Sequence, residues 1–348
     1  MVLSLIVAVA LAQLMEVRPV ETDYAIHDYR FADGELLRDV NLHATTLGQP
    51  IKDANGKTTN AVLIMHGTGG SGHQFLTPMF ANVLFAKDGL LDPAKYFIIL
   101  PDAIGHGRSS KPSDGLHAKF PHYGYRDIVQ LQYRMITEHL GVNHLRLVMG
   151  TSMGGMQTWL WGETYPDFMD ALMPLASLPV QIAGRNRMTR KMIIDDITTD
   201  PEWQNGEYKT QPHGLAAALD ILTIMSSSAE QMMKQAQTRD QADDVLERSR
   251  SARMKTTDAN DLLYQISSSA DYDPQPDLGK IKAPLMAVNS ADDFINPPEL
   301  GILEREIKHV AKGRYGVIPL SDKTHGHGTH TDAMIWKDYL SDLLRRSR

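Results

Sequence analysis

The sequence has no cysteine, which excludes a disulfide framework, a thiolate nucleophile and any cysteine-held zinc or iron–sulfur site. It also has no basic field. Lys+Arg 35 against Asp+Glu 42 leave a formal net charge of -7, and no Lys/Arg cluster interrupts the pattern, so nucleic acid is not an expected partner. The stretch at residues 178–273 carries no internal repeat or low-complexity tract. The apolar run at residues 1–12 (MVLSLIVAVALA) ends in Ala10-Leu11-Ala12, the small-residue pattern that signal peptidase accepts, although no Lys or Arg precedes it. It resembles an export signal, so the expectation is a periplasmic or secreted protein, with a cytoplasmic one bearing a short N-terminal helix as the alternative. About a dozen apolar residues are too few to cross a bilayer as a helix, and no stable membrane insertion is expected.

What is present is enough chain for one large core. A length of 348 residues with 42% hydrophobic content suits an α/β domain with an inserted subdomain. Residues 24–31 and 37–44 alternate weakly and read as opening antiparallel strands. Residues 61–65 (AVLIM) form a continuous apolar run that stops at His66-Gly67, as a strand buried on both faces requires. Residues 97–100, 145–149, 285–288 and 315–319 repeat the pattern. Between them lie helix-period segments, the clearest at residues 127–140, where Ile128, Leu131, Met135, Ile136 and Leu140 share a stripe and Gly141 supplies the stop. The closing helix, about residues 333–344, carries Ile335, Trp336, Tyr339, Leu340, Leu343 and Leu344 on one face. Strands alternating with helices predict a mostly parallel central sheet flanked by helices. Residues 178–273 contain no buried-strand run and read as an inserted helical cap, with Asp273-Pro-Gln-Pro-Asp277 as the hinge back to the sheet. The division is therefore 20–177 and 274–348 for the core and 178–273 for the cap.

Gly150-Thr151-Ser152-Met153-Gly154 follows a predicted strand and opens a predicted helix. That context gives G-x-S-x-G its meaning: the serine sits on a tight strand-to-helix turn, flanked by glycines because the backbone passes close to its neighbours. Ser152 is the candidate nucleophile. Acyl transfer also needs donors aimed at the developing oxyanion. The expected pair is the backbone N–H of Met153, at a helix N-terminus, and that of Thr68, in His66-Gly67-Thr68-Gly69-Gly70, which matches the glycine-rich lipase and esterase pattern. A phosphate-binding loop is disfavoured because no Gly-Lys-Ser/Thr follows these glycines.

Acid and histidine should follow in that order, each after a later strand. Asp293 and Pro297 have the D-x-x-x-P spacing of an acid turn, while Asp292 is one residue out of register. Of His325, His327 and His330, His327 is preferred because Gly-His opens the last loop in this arrangement. The H-x-H-x-x-H spacing could instead hold a metal, but no HExxH pattern or cysteine completes a ligand set. No cofactor and no metal are expected. The partner is a small-molecule acyl substrate, and a homodimer is compatible with the composition.

The residues Asp127-Ile-Val, Leu140-Gly141-Val142, Ser152-Met-Gly-Gly-Met-Gln157 and Tyr165-Pro166-Asp167 resemble the homoserine O-acetyltransferase group within the α/β-hydrolases. Asn186-x-x-x-Arg190, Asp200-Pro201-x-Trp203, Gly206-x-Tyr208 and Gly214-Leu215 extend the likeness. The resemblance implies an α/β-hydrolase fold and Ser-His-Asp chemistry, with acyl-CoA as donor if transfer is retained. It also marks departures. Where the family carries an Arg and, seven residues on, a Tyr that hold the amino-acid substrate, this chain has Leu219 and Ser226. A lost guanidinium removes the natural partner of a substrate carboxylate, so hydrolysis of an ester is expected in place of homoserine acetylation. Arg190 is the remaining candidate for meeting an anionic group.

Overall fold

The computed structural model describes residues 17–347. The apolar run at residues 1–12 lies outside them. Among the described residues no helix is long and apolar enough to cross a membrane.

Eight strands form one sheet in the order β1-β2-β4-β3-β5-β6-β7-β8. The first two, β1 (Val20–Arg30) and β2 (Leu36–Leu47), form an antiparallel hairpin, and β2 pairs antiparallel with β4 (Phe97–Pro101). From β4 onward, through β3 (Ala61–Met65), β5 (Leu147–Thr151), β6 (Leu172–Leu175), β7 (Leu285–Ser290) and β8 (Gly313–Ile318), every pairing is parallel. Strands β3 to β7 are buried along their whole length, which is why they read as unbroken apolar runs. The chain goes from β3 to β4 on one side and later to β5 on the other. That reversal opens a crevice beyond the carboxyl ends of β3 and β5, where α/β sheets bind ligands.

Two expectations are corrected. The strand expected at residues 145–149 is shifted by two residues: Leu145 makes only an isolated bridge to Met169, and the strand runs through Gly150 to Thr151 because Gly150 still pairs with Met65. And β6 (LMPL) carried no strand signal. Pro174 argues against a central strand because it offers no N–H. Here β6 pairs with β7 only at Leu172 and Leu175, leaving Pro174 outside that register.

The helices are α1 (Pro78–Leu84), α2 (Tyr125–Arg134), α3 (Met153–Thr164), α4 (Gly184–Thr198), α5 (His213–Ser226), α6 (Ala229–Gln235), α7 (Arg239–Met254), α8 (Ala259–Ser267), α9 (Ile302–Glu306) and α10 (Ala333–Arg346). The segment expected as one helix over residues 127–140 is α2 followed by a wider turn, Met135–His139, closed by Leu140 N–H to Met135 O. Its stripe faces inward as expected, with Ile128, Leu131, Met135 and Ile136 buried. One face of the sheet is covered by α2 and α3, whose Trp159 and Trp161 are fully buried. The other is covered by α1 and α10, where Phe80 packs against Trp336.

Helices α4 to α8 all fall between β6 and β7, and α4, α5 and α8 share an apolar cluster that includes Ile193, Leu215, Leu219 and Leu262. In α7 no residue is buried, so the insertion is clad outward in polar side chains. Residues 273–277 lead into a short 3-10 turn, Gln275–Lys280, that returns the chain to β7.

Candidate active site

The site is assembled from turns at the carboxyl ends of four parallel strands. After β5 the chain reverses into α3, and Ser152 takes up φ 55° and ψ -112°, a region costly for a residue with a Cβ, typically about 1–3 kcal/mol. The turn is tight enough to require its glycines. A Cβ on Gly150 would lie 2.2 Å from Gly154 O, and one on Gly154 would lie 2.0 Å from Met65 O at the end of β3. Ser152 N–H is bonded to Leu175 O at 2.9 Å, which anchors the turn to β6. Met153 is the first residue of α3, so its N–H has no partner within the helix.

The loop after β3 runs beside Ser152. A turn from Gly67 O to Gly70 N–H, 3.0 Å, shapes it. Beneath it, fully buried His66 accepts from Ala103 N–H through Nε2 at 3.0 Å and donates through Nδ1 to Gly67 O at 2.8 Å. Burial pushes this imidazole below its ordinary range, so it stays neutral with the proton on Nδ1. Gln74 ties the two turns together, accepting from Gly67 N–H at 3.3 Å and donating to Thr151 Oγ1 at 2.9 Å.

His327 Nε2 lies 2.7 Å from Ser152 Oγ. Its Nδ1 lies 2.9 Å from Asp293 Oδ2 and 3.1 Å from Oδ1. Asp293, 2% exposed, also accepts from the amides of Ile295 at 2.8 Å and Asn296 at 3.0 Å. Burial alone would raise this carboxyl. The adjacent His327 and the two amide donors outweigh it and hold Asp293 below the usual carboxylate range. Asn296 fixes the turn, donating through Nδ2 to Ala176 O at 2.9 Å.

The competing residues go elsewhere. Asp292 accepts from Ser290 Oγ and, at 2.8 Å, from Gly326 N–H, tying the acid turn to the histidine loop. His330 packs edge-on against His327, with centroids 5.3 Å apart; burial and the neighbouring imidazole push it down to about 3, so it remains uncharged. His325 lines an outer cleft, bordered also by Ser226 and Arg253, and not the cavity onto which Ser152 opens.

Ser152, His327 and Thr68 open onto a cavity of about 460 Å³, walled on the insertion side by Arg190, Leu222, Met225 and Arg253. A second cavity of about 490 Å³, with Leu178, Val180, Ile182 and Leu300, adjoins it and shares Met156, Asn186, Ile295 and Asn296. Of the two positions where the acetyltransferase residues are replaced, Ser226 lines the first cavity and Leu219 is buried in the insertion's own cluster. Among the insertion's methionines, Met225 lines the first cavity, while Met188, Met192 and Met233 are exposed on the outside of the insertion. Sequence reasoning missed Gln74, Asn296 and Arg253. Only Asn296 had a signal, its place just before the proline of the acid turn.

A mostly parallel eight-stranded sheet with a strained serine at the strand-to-helix turn of β5 is the arrangement of an α/β-hydrolase. Residues 60–315 match the family model described as "alpha/beta hydrolase fold", and the chain belongs to that family of enzymes. It is 31% identical over 318 residues to a homoserine O-acetyltransferase of Methanobrevibacter ruminantium, covering 79% of this chain and 63% of that one. Its fold is similar to that of an acetylester hydrolase from Corynebacterium glutamicum, with TM-score 0.79, 22% identity, and 94% and 96% of the two chains covered. It is equally similar to that of a homoserine O-acetyltransferase from Bacillus anthracis, with TM-score 0.80, 18% identity, and 94% and 98% covered.

Proposed function

We propose that the protein is a serine esterase that cleaves a carboxylic ester through an acyl-enzyme. The observation that carries the reading is the linear relay from Ser152 Oγ to His327 Nε2 at 2.7 Å and from His327 Nδ1 to Asp293 at 2.9 Å. His327 takes the Ser152 proton as Oγ attacks the ester carbonyl, and the oxyanion is received by the amides of Met153 and Thr68. Collapse expels the alkoxide, which leaves as alcohol with the proton from His327. Water then enters, gives a proton to the same imidazole, attacks the acyl-enzyme and releases the acid, returning the proton to Ser152. Asp293 holds the imidazole in one tautomer and stabilises its charged form. The adjoining apolar cavity gives room for an acyl or alcohol chain of short to medium length.

A second reading, acyl transfer from an acyl-CoA to a small hydroxyl compound, has the support of the sequence likeness to acetyltransferases. Against it stand Leu219 and Ser226, which offer no guanidinium or phenol for an amino-acid substrate.

The test is a panel of esters of graded chain length, run on wild type and Ser152→Ala, together with labelling by a serine-reactive fluorophosphonate. Cleavage and labelling that both depend on Ser152 support the esterase; equal rates for the two proteins overturn it. Acetyl-CoA consumption that rises with added homoserine would move the assignment to the transferase.

A further inference from the structure

The cavity that holds Ser152 is lined by two arginines and by no aspartate or glutamate. Arg190, on α4, is 6% exposed. Its Nε donates to Asn186 Oδ1 at 3.0 Å and its Nη1 to Ser269 Oγ at 3.2 Å and Ile266 O at 3.5 Å, all neutral acceptors. Arg253, on α7 and half-buried, donates to Thr223 Oγ1 at 3.4 Å, and partial desolvation pushes its guanidinium below the ordinary arginine range. Among the described residues neither pairs with a carboxylate. For Arg190, a buried cation without a counter-ion, this is costly, because desolvation is not offset by attraction; Arg253 is half-buried and faces the same cavity.

The same helices supply a control. Arg250, one turn before Arg253 on α7, is held by Asp220 of α5 at 2.6 Å. One turn further along α5 the facing residue is Thr223, so the guanidinium that turns toward the cavity is the one left without an acid. A guanidinium presents a planar fork of donors suited to an oxyanion.

We propose that Arg190 and Arg253 form an anion subsite, so that the substrate is an ester carrying a carboxylate or phosphate group besides the scissile bond. This rests on the esterase reading for the identity of the reacting group, but not for the binding of the anion. The position occupied by the acetyltransferases' arginine, Leu219, takes no part in it.

Two matched pairs test the charge preference: monoethyl against diethyl succinate, with the anion on the acyl side, and O-acetyl-lactate against its methyl ester, with the anion on the alcohol side. In at least one pair the charged member should have a kcat/KM about 10-fold or more higher, chiefly through KM, as expected for hydrogen bonds to a charged group. Arg253→Met and Arg190→Met should each remove most of that advantage, and Arg190→Lys should keep part of it. Arg253 is half-buried where Arg190 is buried, so Arg253→Met keeps the test decisive if Arg190→Met does not fold. Calorimetric titration of Ser152→Ala with glutarate and with inorganic phosphate reads binding without turnover. Glutarate binding lost on adding Arg253→Met supports a carboxylate site, and phosphate binding lost in the same way supports a phosphate site. Failure of any ester to react would remove the esterase while leaving this titration to decide the subsite. No charge preference in either pair, together with no binding of either anion, overturns it.

Discussion

Two buried aspartates, one at the rim of the sheet and one in the helical insertion, are held by opposite balances of the same forces. Asp293 meets an imidazole and two backbone amides, and its carboxyl is held below the usual range in spite of burial. Asp261, on α8, accepts from Ser113 N–H at 2.8 Å and from its hydroxyl at 2.7 Å, and burial, with Asp258 nearby, outweighs these donors and pushes it up to about 6. The rim therefore keeps its charge fixed and fully partnered, and the insertion leaves charges under-partnered, Arg190 and Arg253 among them. We read this as a division of labour in which the rim supplies the reaction and the insertion decides which ester reaches it.

The comparison breaks most visibly at the rim. Ser152→Ala should lower kcat/KM for esters by at least about 10³-fold with little change in thermal midpoint, in line with triad deletions. Next, Asp293→Asn should cost about 10³- to 10⁴-fold in kcat, because the imidazole loses its orienting acceptor. Asp292→Asn, which weakens the links to Gly326 and Ser290 but touches neither His327 nor Ser152, should cost about 10-fold or less. Side-by-side rates of these two variants measure the asymmetry; equal losses would mean that the acid has been misassigned. A smaller effect, about 10-fold in kcat with KM little moved, is expected for Gln74→Ala, which frees the loop of Gly67 from the end of β5.

The same contrast explains what could be read from the sequence. Strands buried on both faces have one requirement, apolar side chains, so β3, β4, β5 and β7 stood out, and the turn glycines marked Ser152. D-x-x-x-P spacing separated Asp293 from Asp292, and Gly-His separated His327 from its neighbours, because backbone geometry at those turns restricts sequence. Where a residue's partner comes from a distant element, local pattern is silent. Arg253 sits on a polar helix and reads as a solvated side chain until α5 is seen to oppose it with Thr223. Leu219 reads as a cavity position by likeness, yet the turn of α5 buries it. Pro174 hid β6, because its missing N–H matters only if the register demands it.

The smallest effect, on stability and not on rate, follows from the two aspartates. Asp261 binds its proton more tightly in the folded protein, near 6, than a free aspartate does, near 3.8. Between those values the native state holds more protons, so wild type loses stability as pH rises through that window, by about 1–3 kcal/mol at most. Asp261→Asn does not titrate there. Its thermal midpoint minus that of wild type should therefore increase from pH 4 to about pH 6 and level off above. Asp293 is shifted the other way: its contribution is present above the unfolded value and is lost as pH falls through the lower folded one. The wild-type advantage over Asp293→Asn should accordingly shrink on acidification below about pH 4. Melting curves of the three proteins across pH 3–8 would give difference plots of opposite slope, and slopes of the same sign would show that the insertion holds its carboxylate as the rim does.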